Sequence, residues 1–75
     1  MISERHCRAA RALLGISQEQ LAASAGVGLS TVRDFETLRR ELPASTVHKI
    51  RLTLERAGVE FVFGGRVGVV IARRA

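Results

Sequence analysis

The feature that most narrows what this chain can become is Ala25-Gly26-Val27-Gly28, two glycines set between two short stretches of helical periodicity. A left-handed backbone position is cheapest as glycine, so Gly26 ends the first stretch. The next starts almost at once, near Leu29. Two helices this close in sequence are either a hairpin inside a small bundle or a unit that presents its second helix to an outside partner.

The flanking sequence fills in the remaining elements. Ser3 caps a first helix running to about Leu14, with Cys7, Ala10, Leu13 and Leu14 at helical spacing and Gly15 at its end. Ser17 with Gln20 three residues later reads as a capping box, so a second helix begins at Gln18 and turns Leu21, Ala22 and Ala25 inward. A third begins near Leu29 and buries Val32 and Phe35. Pro43 marks a break, Ser45 or a neighbour caps a fourth helix, and Val47, Ile50, Leu54 and Ala57 form its apolar stripe up to Gly58.

Beyond Gly58 the period changes to two. Val59, Phe61 and Phe63 alternate with Glu60 and Val62, and Gly64-Gly65 precedes the apolar run Val67 to Ile71. This reads as a β-hairpin with a two-residue turn, in which Phe63 faces Arg66, Phe61 faces Gly68 and Val59 faces Val70. Residues 73–75 form a short basic tail. The expected fold is mainly α, four helices over residues 1–58 followed by a hairpin and tail over 59–75.

At 75 residues the chain is one domain near the lower size limit for a single core. Twelve Lys and Arg against seven Asp and Glu leave a net charge of +5, which favours anionic partners such as nucleic acid or an acidic membrane. Cys7 is the lone cysteine, so a reduced, cytoplasmic setting is expected. No apolar run reaches the length of a membrane span, and the first residues have no signal-peptide character. Catalysis is excluded on inventory: His6 and His48 lie on separate helices, and Cys7 has no evident activating partner. His6 is expected at the surface and Cys7 in the core, and no metal or cofactor is expected.

A helix-turn-helix unit makes specific demands, and Gln18 to Thr37 meets them. The helix contact needs a small residue, supplied by Ala22, and the turn needs positive φ, supplied by Gly26. Inward apolar positions on both sides are Leu21, Ala25, Val27, Val32 and Phe35. From Arg8 to about Gly58, with Arg11-Ala12-Leu13-Leu14-Gly15-Ile16-Ser17-Gln18-Glu19-Gln20-Leu21-Ala22 and then Ala25-Gly26-Val27, the chain resembles the Cro/repressor-type (XRE) helix-turn-helix family.

The resemblance implies a lambda-repressor-like DNA-binding domain: a sequence-specific transcriptional regulator, expected to be a homodimeric, self-regulating repressor of a two-fold operator in a bacterium or phage. It places Leu29, Ser30, Arg33 and Asp34 at base-contacting positions of the recognition helix. Ser17, Gln18, Gly28, Thr37, Arg39 and Arg40 fall at phosphate-contacting positions. It also matches Arg11 and Glu36 to an ion pair between the first helix and the end of the third. Gly28 stands where the family commonly has Ser or Thr, and Leu29 where it often carries a polar base-reading residue. Both apolar faces of the hairpin suggest self-association, with Phe61, Val67, Val69 and Ile71 as the dimer interface, as in small phage Cro proteins. The competing reading is a protein-interaction module, antitoxin-like or co-regulatory, with weak or no DNA binding of its own.

Overall fold

The computed structural model describes residues 2–63 and 69–72, the last four by their backbone alone. Four helices are followed by two strands: α1 Glu4–Leu14, α2 Gln18–Ala25, α3 Leu29–Glu36, α4 Ala44–Arg56, β1 Val59–Val62 and β2 Val69–Ala72. The first two helices start where serine hydroxyls accept from backbone N–H groups, Ser3 from His6 and Ser17 from Gln20, and both form capping boxes. Gly26 stands at φ 70 after α2, a conformation that costs an L residue about 1–2 kcal/mol and glycine almost nothing.

The core takes a few side chains from each element. Cys7 and Ala10 of α1 meet Leu21 and Ala22 of α2, Val32 and Phe35 of α3, and Val47, Ile50 and Leu54 of α4. Val59 and Phe61 of β1 close one end, while Ile2 and Leu42 join from outside the helices. Leu14, Ile16 and Val27 pack against this cluster while remaining partly exposed. Small residues at Ala10 and Ala22 let the short helices approach closely, which suits a core with few aromatics.

Several expectations from the sequence need correction. Leu13 is half exposed rather than internal, because the α1 face that meets the other helices is centred on Cys7 and Ala10. Ala57 is exposed beyond the end of α4 instead of completing its buried stripe. The cap of α4 is Pro43, with Ser45 inside the first turn. Proline supplies φ −56 there, and its carbonyl accepts from the N–H groups of Thr46 and Val47 at 3.0 and 3.2 Å. Burial of Leu42 just before it fixes where the chain must turn into the helix.

The hairpin register also differs. β1 and β2 are antiparallel with Val59 opposite Ala72, Glu60 opposite Ile71, Phe61 opposite Val70 and Val62 opposite Val69. This register is shifted by two residues from that of a Gly64-Gly65 turn. Gly64, Gly65 and Val67 themselves lie outside the described residues. An even slip preserves which β1 side chains point inward. Val59 and Phe61 are buried, and Glu60 and Val62 are exposed.

Phe61 is therefore a core residue of its own chain and is withdrawn from the dimer surface. Its neighbour is His6, which is buried instead of exposed. The imidazole lies edge-on to Phe61 with centroids 5.8 Å apart and 5.0 Å from the ring of Phe63. Its Nδ1 accepts from the Ser3 backbone N–H at 3.0 Å, so the cap of α1 and the anchor of the hairpin share one side chain. Arg51 of α4 covers Phe63 from 5.5 Å, a cation–π contact that ties the hairpin to a second helix. Sequence alone gave no reason to place His6 inward, since its partners lie some fifty-five residues away.

The end of α3 carries backbone strain. Thr37 closes the helix, and Leu38 after it has φ 57. The Leu38 N–H bonds to the Phe35 carbonyl at 3.3 Å and the Arg39 N–H to the Asp34 carbonyl at 2.9 Å. That is a Schellman closure with leucine at the position usually held by glycine. Leu38 is 70 % exposed, so burial offsets little of the cost. Leu38→Gly should stabilise the domain by about 0.5–1 kcal/mol, net of glycine's greater freedom when unfolded. Thermal unfolding should register a rise of roughly 3–6 °C. A lowered midpoint would show that the leucine side chain makes contacts worth more than the strain.

Candidate nucleic-acid interface

One carboxylate, Glu36, organises the unit from the inside. It sits in the last turn of α3 and its side chain is only 2 % exposed. Arg11 of α1 binds it with a two-pronged fork, Nε to Oε2 and NH2 to Oε1, both at 2.7 Å. The remaining guanidinium nitrogen reaches the Ile16 carbonyl at 3.2 Å, so the same arginine also holds the α1–α2 connection. Gln18, the first residue of α2, donates its Nε2 to Oε1 at 3.0 Å, and the Cys7 thiol donates to Oε2 at 3.0 Å. Arg8 donates to the Glu36 backbone carbonyl.

The electrostatics follow from these contacts. Burial pushes the Glu36 carboxyl up, but hydrogen bonds from Arg11, Cys7 and Gln18 outweigh it and hold the group below its usual range. Burial, followed by the hydrogen bond to Glu36, pushes the Cys7 thiol far up, so it is inert as a nucleophile. The hydrogen bond to Glu36 raises the Arg11 guanidinium further still, against the opposing effect of burial. Three helices thus meet at one ionised group, which fixes the orientation of α3.

The outer face of α3 lies beside the start of α2. Gln18, Ser30, Arg33, Asp34, Thr37 and Arg39 line a concavity of about 640 Å³ there. Six residues named from the sequence are thereby brought together. Arg33 and Arg39 are exposed, and neither guanidinium has a partner among the described residues. Thr37 is exposed, with its hydroxyl donating to the Arg33 carbonyl at 2.7 Å. Gln18 spends one amide donor on Glu36 and is half-buried, so it couples this face to the interior.

Four other named residues lie outside the concavity. Leu29 is half-buried at the start of α3. Ser17 uses its hydroxyl to cap α2, accepting from the Gln20 N–H at 3.0 Å. Gly28 caps α3 without a side chain, and its carbonyl accepts from Thr31 and Val32. Arg40 does not line the concavity and binds Asp34, Nε to Oδ2 at 2.8 Å.

Sequence reasoning missed the Gln18, Cys7 and Arg8 contacts to Glu36. A signal for part of the cluster existed, since Cys7, Arg8 and Arg11 stand three and four residues apart on one helix and therefore share a face. No spacing rule points to Gln18, which comes from another element.

A glycine turn between two short helices, with Arg33 on the second and Arg39 just after it both unpaired among the described residues, defines a helix-turn-helix protein whose second helix is built to meet an anionic partner. A family model described as helix-turn-helix, of the Cro/C1 (XRE) type, matches residues 8–59. The chain belongs to that family, and its domain is that of a DNA-binding regulator. No curated protein matches the chain. Among the described residues no helix is long and apolar enough to cross a membrane.

Proposed function

We propose that the chain is a homodimeric repressor that reads a palindromic operator, with one α3 in the major groove of each half-site. The observation that carries this reading is the concavity at the α2–α3 junction, with Arg33 and Arg39 both lacking intrachain partners among the described residues. Leaving two guanidiniums free on one side of a small domain has a use if phosphates and base edges are the partners. Arg33, in the middle of α3, is assigned a guanine edge, the commonest specific pair for arginine. Ser30 and Leu29 flank it, Leu29 offering apolar contact to a thymine methyl.

Phosphate contacts are assigned to the start of α2 and the end of α3. Ser17 and Gln18 lie at a helix N-terminus, where free N–H groups favour an anion, and Gly28 exposes the N-terminus of α3 in the same way. Thr37 and Arg39 complete the strand-facing rim. One α3 reads too few base pairs to single out a genomic site, and a two-fold pair about one DNA turn apart doubles the reading. A place in the cytoplasm, on the nucleoid, goes with that role.

Selection of bound sequences from random DNA tests binding, symmetry and half-site spacing together. The intact protein should enrich a palindrome. Arg33→Ala should weaken binding to it by about 1–3 kcal/mol and relax preference at one position per half-site. Arg39→Ala should weaken all sequences alike and flatten the salt dependence by roughly one unit of slope. Enrichment of nothing, together with no gel shift on DNA upstream of the chain's own reading frame at low salt, would favour a protein-interaction module instead.

A further inference from the structure

Asp34 is an awkward residue for a helix that approaches phosphates, and the structure supplies a reason for its presence. Its Oδ2 accepts from Arg40 Nε at 2.8 Å, and the NH2 of the same guanidinium reaches Thr31 Oγ1 at 3.5 Å. The strained turn at Leu38 is what makes this possible. It sends the chain back along α3, with the Arg39 N–H on the Asp34 carbonyl, and brings Arg40 six residues on to the Asp34 side chain.

The two partners face different ways. Asp34 lines the concavity with Gln18, Ser30, Arg33, Thr37 and Arg39, and Arg40 does not. Arg40 instead lines a separate groove with Phe35, Leu38 and Leu42. Of the two carboxylate oxygens it is Oδ2 that Arg40 holds. Oδ1 has no hydrogen-bond partner among the described residues.

We infer that Arg40 is a positioning residue for a base-reading carboxylate: holding Oδ2, it leaves Oδ1 of Asp34 aimed as a single acceptor at a cytosine amino group. The inference rests on the DNA-reading function proposed above and removes Arg40 from the phosphate contacts. Its chemistry is specific. An ionised carboxylate only accepts, and the major-groove donors are cytosine N4 and adenine N6. Adenine sets its N7 acceptor beside that donor, which repels the carboxylate, so cytosine is the base selected. The arginine also cancels the charge that neighbouring phosphates would otherwise repel.

The test is a parallel selection from random DNA with the full-length protein, Asp34→Asn, Arg40→Ala and Arg40→Lys, each checked for wild-type thermal unfolding. Asp34→Asn identifies the position read, because asparagine pairs with adenine and should move the preference there from cytosine to adenine. At that position Arg40→Ala should reduce the cytosine preference from roughly tenfold to near parity, with other positions unchanged. Arg40→Lys keeps the charge without the Nε donor and should lose most of the preference too. Retention of the cytosine preference in either Arg40 variant would overturn the positioning role while the intact protein's palindrome stands. No enriched sequence from the intact protein would overturn the DNA-reading function itself, and this inference with it.

Discussion

Arg11→Ala is expected to destabilise the domain by about 3–5 kcal/mol, because it strands a buried carboxylate without its main partner. Glu36 would keep the Gln18 amide and the Cys7 thiol but lose both prongs of the guanidinium. A domain of this length has roughly 4–11 kcal/mol of total stability, so the change removes about a quarter of it or more. Urea unfolding at neutral pH is the measurement. The two residues should behave as a unit: Arg11→Met with Glu36→Leu removes both charges and should recover much of the loss, with a coupling of about 2 kcal/mol in the cycle. Additive costs would place the two charges in solvent, contrary to the 2.7 Å fork.

The same pair sets an acid dependence. The folded-state pKa of Glu36 is lowered below its unfolded value of about 4.3. Its contribution is therefore fully present above the unfolded value and is lost as pH falls through the folded one. The stability gap between the intact protein and Arg11→Ala should narrow over that acid range. A gap independent of pH would mean that Arg11 stabilises through packing alone.

Val62→Lys carries the largest expected effect on DNA binding. Val62 is 39 % exposed on the outer side of β1, while Phe63, 48 % exposed, lies against His6 and Arg51 on the helix-facing side. With Phe61 turned into the core, Val69 and Ile71 remain of the proposed dimer surface, along with Val67 outside the described residues, and Val62 stands opposite Val69 in the register. A lysine at an exposed position should change monomer stability by no more than about 0.5 kcal/mol. In a dimer joined through the hairpin it introduces a charge at the joint. Sedimentation at micromolar concentration should move from twice the chain mass to the chain mass. Palindrome affinity should fall on the order of a hundredfold or more, since the second half-site no longer comes linked to the first. A variant that stays dimeric would remove the hairpin from the assembly.

What the sequence determined about this protein is mostly local. Ser3 with Gly15 and Ser17 with Gly26 bounded α1 and α2 correctly because a cap involves residues no more than about four positions apart. Gly28 and Leu29 began α3 for the same reason, and the period-two run at Val59 made β1 legible. Where a local signal was ambiguous, as between Pro43 and Ser45, the burial of Leu42 decided. The tertiary structure alone decided which polar groups converge. Cys7, Arg8 and Arg11 reach Glu36 across separations of 29, 28 and 25 residues, and His6 turns inward only because Phe61 and Phe63 come to meet it. The strand register and the Arg40–Asp34 grip belong with these. A cap or a turn is settled by the torsions of a few neighbouring residues, whereas a buried polar cluster exists only once packing has removed water from every partner at once.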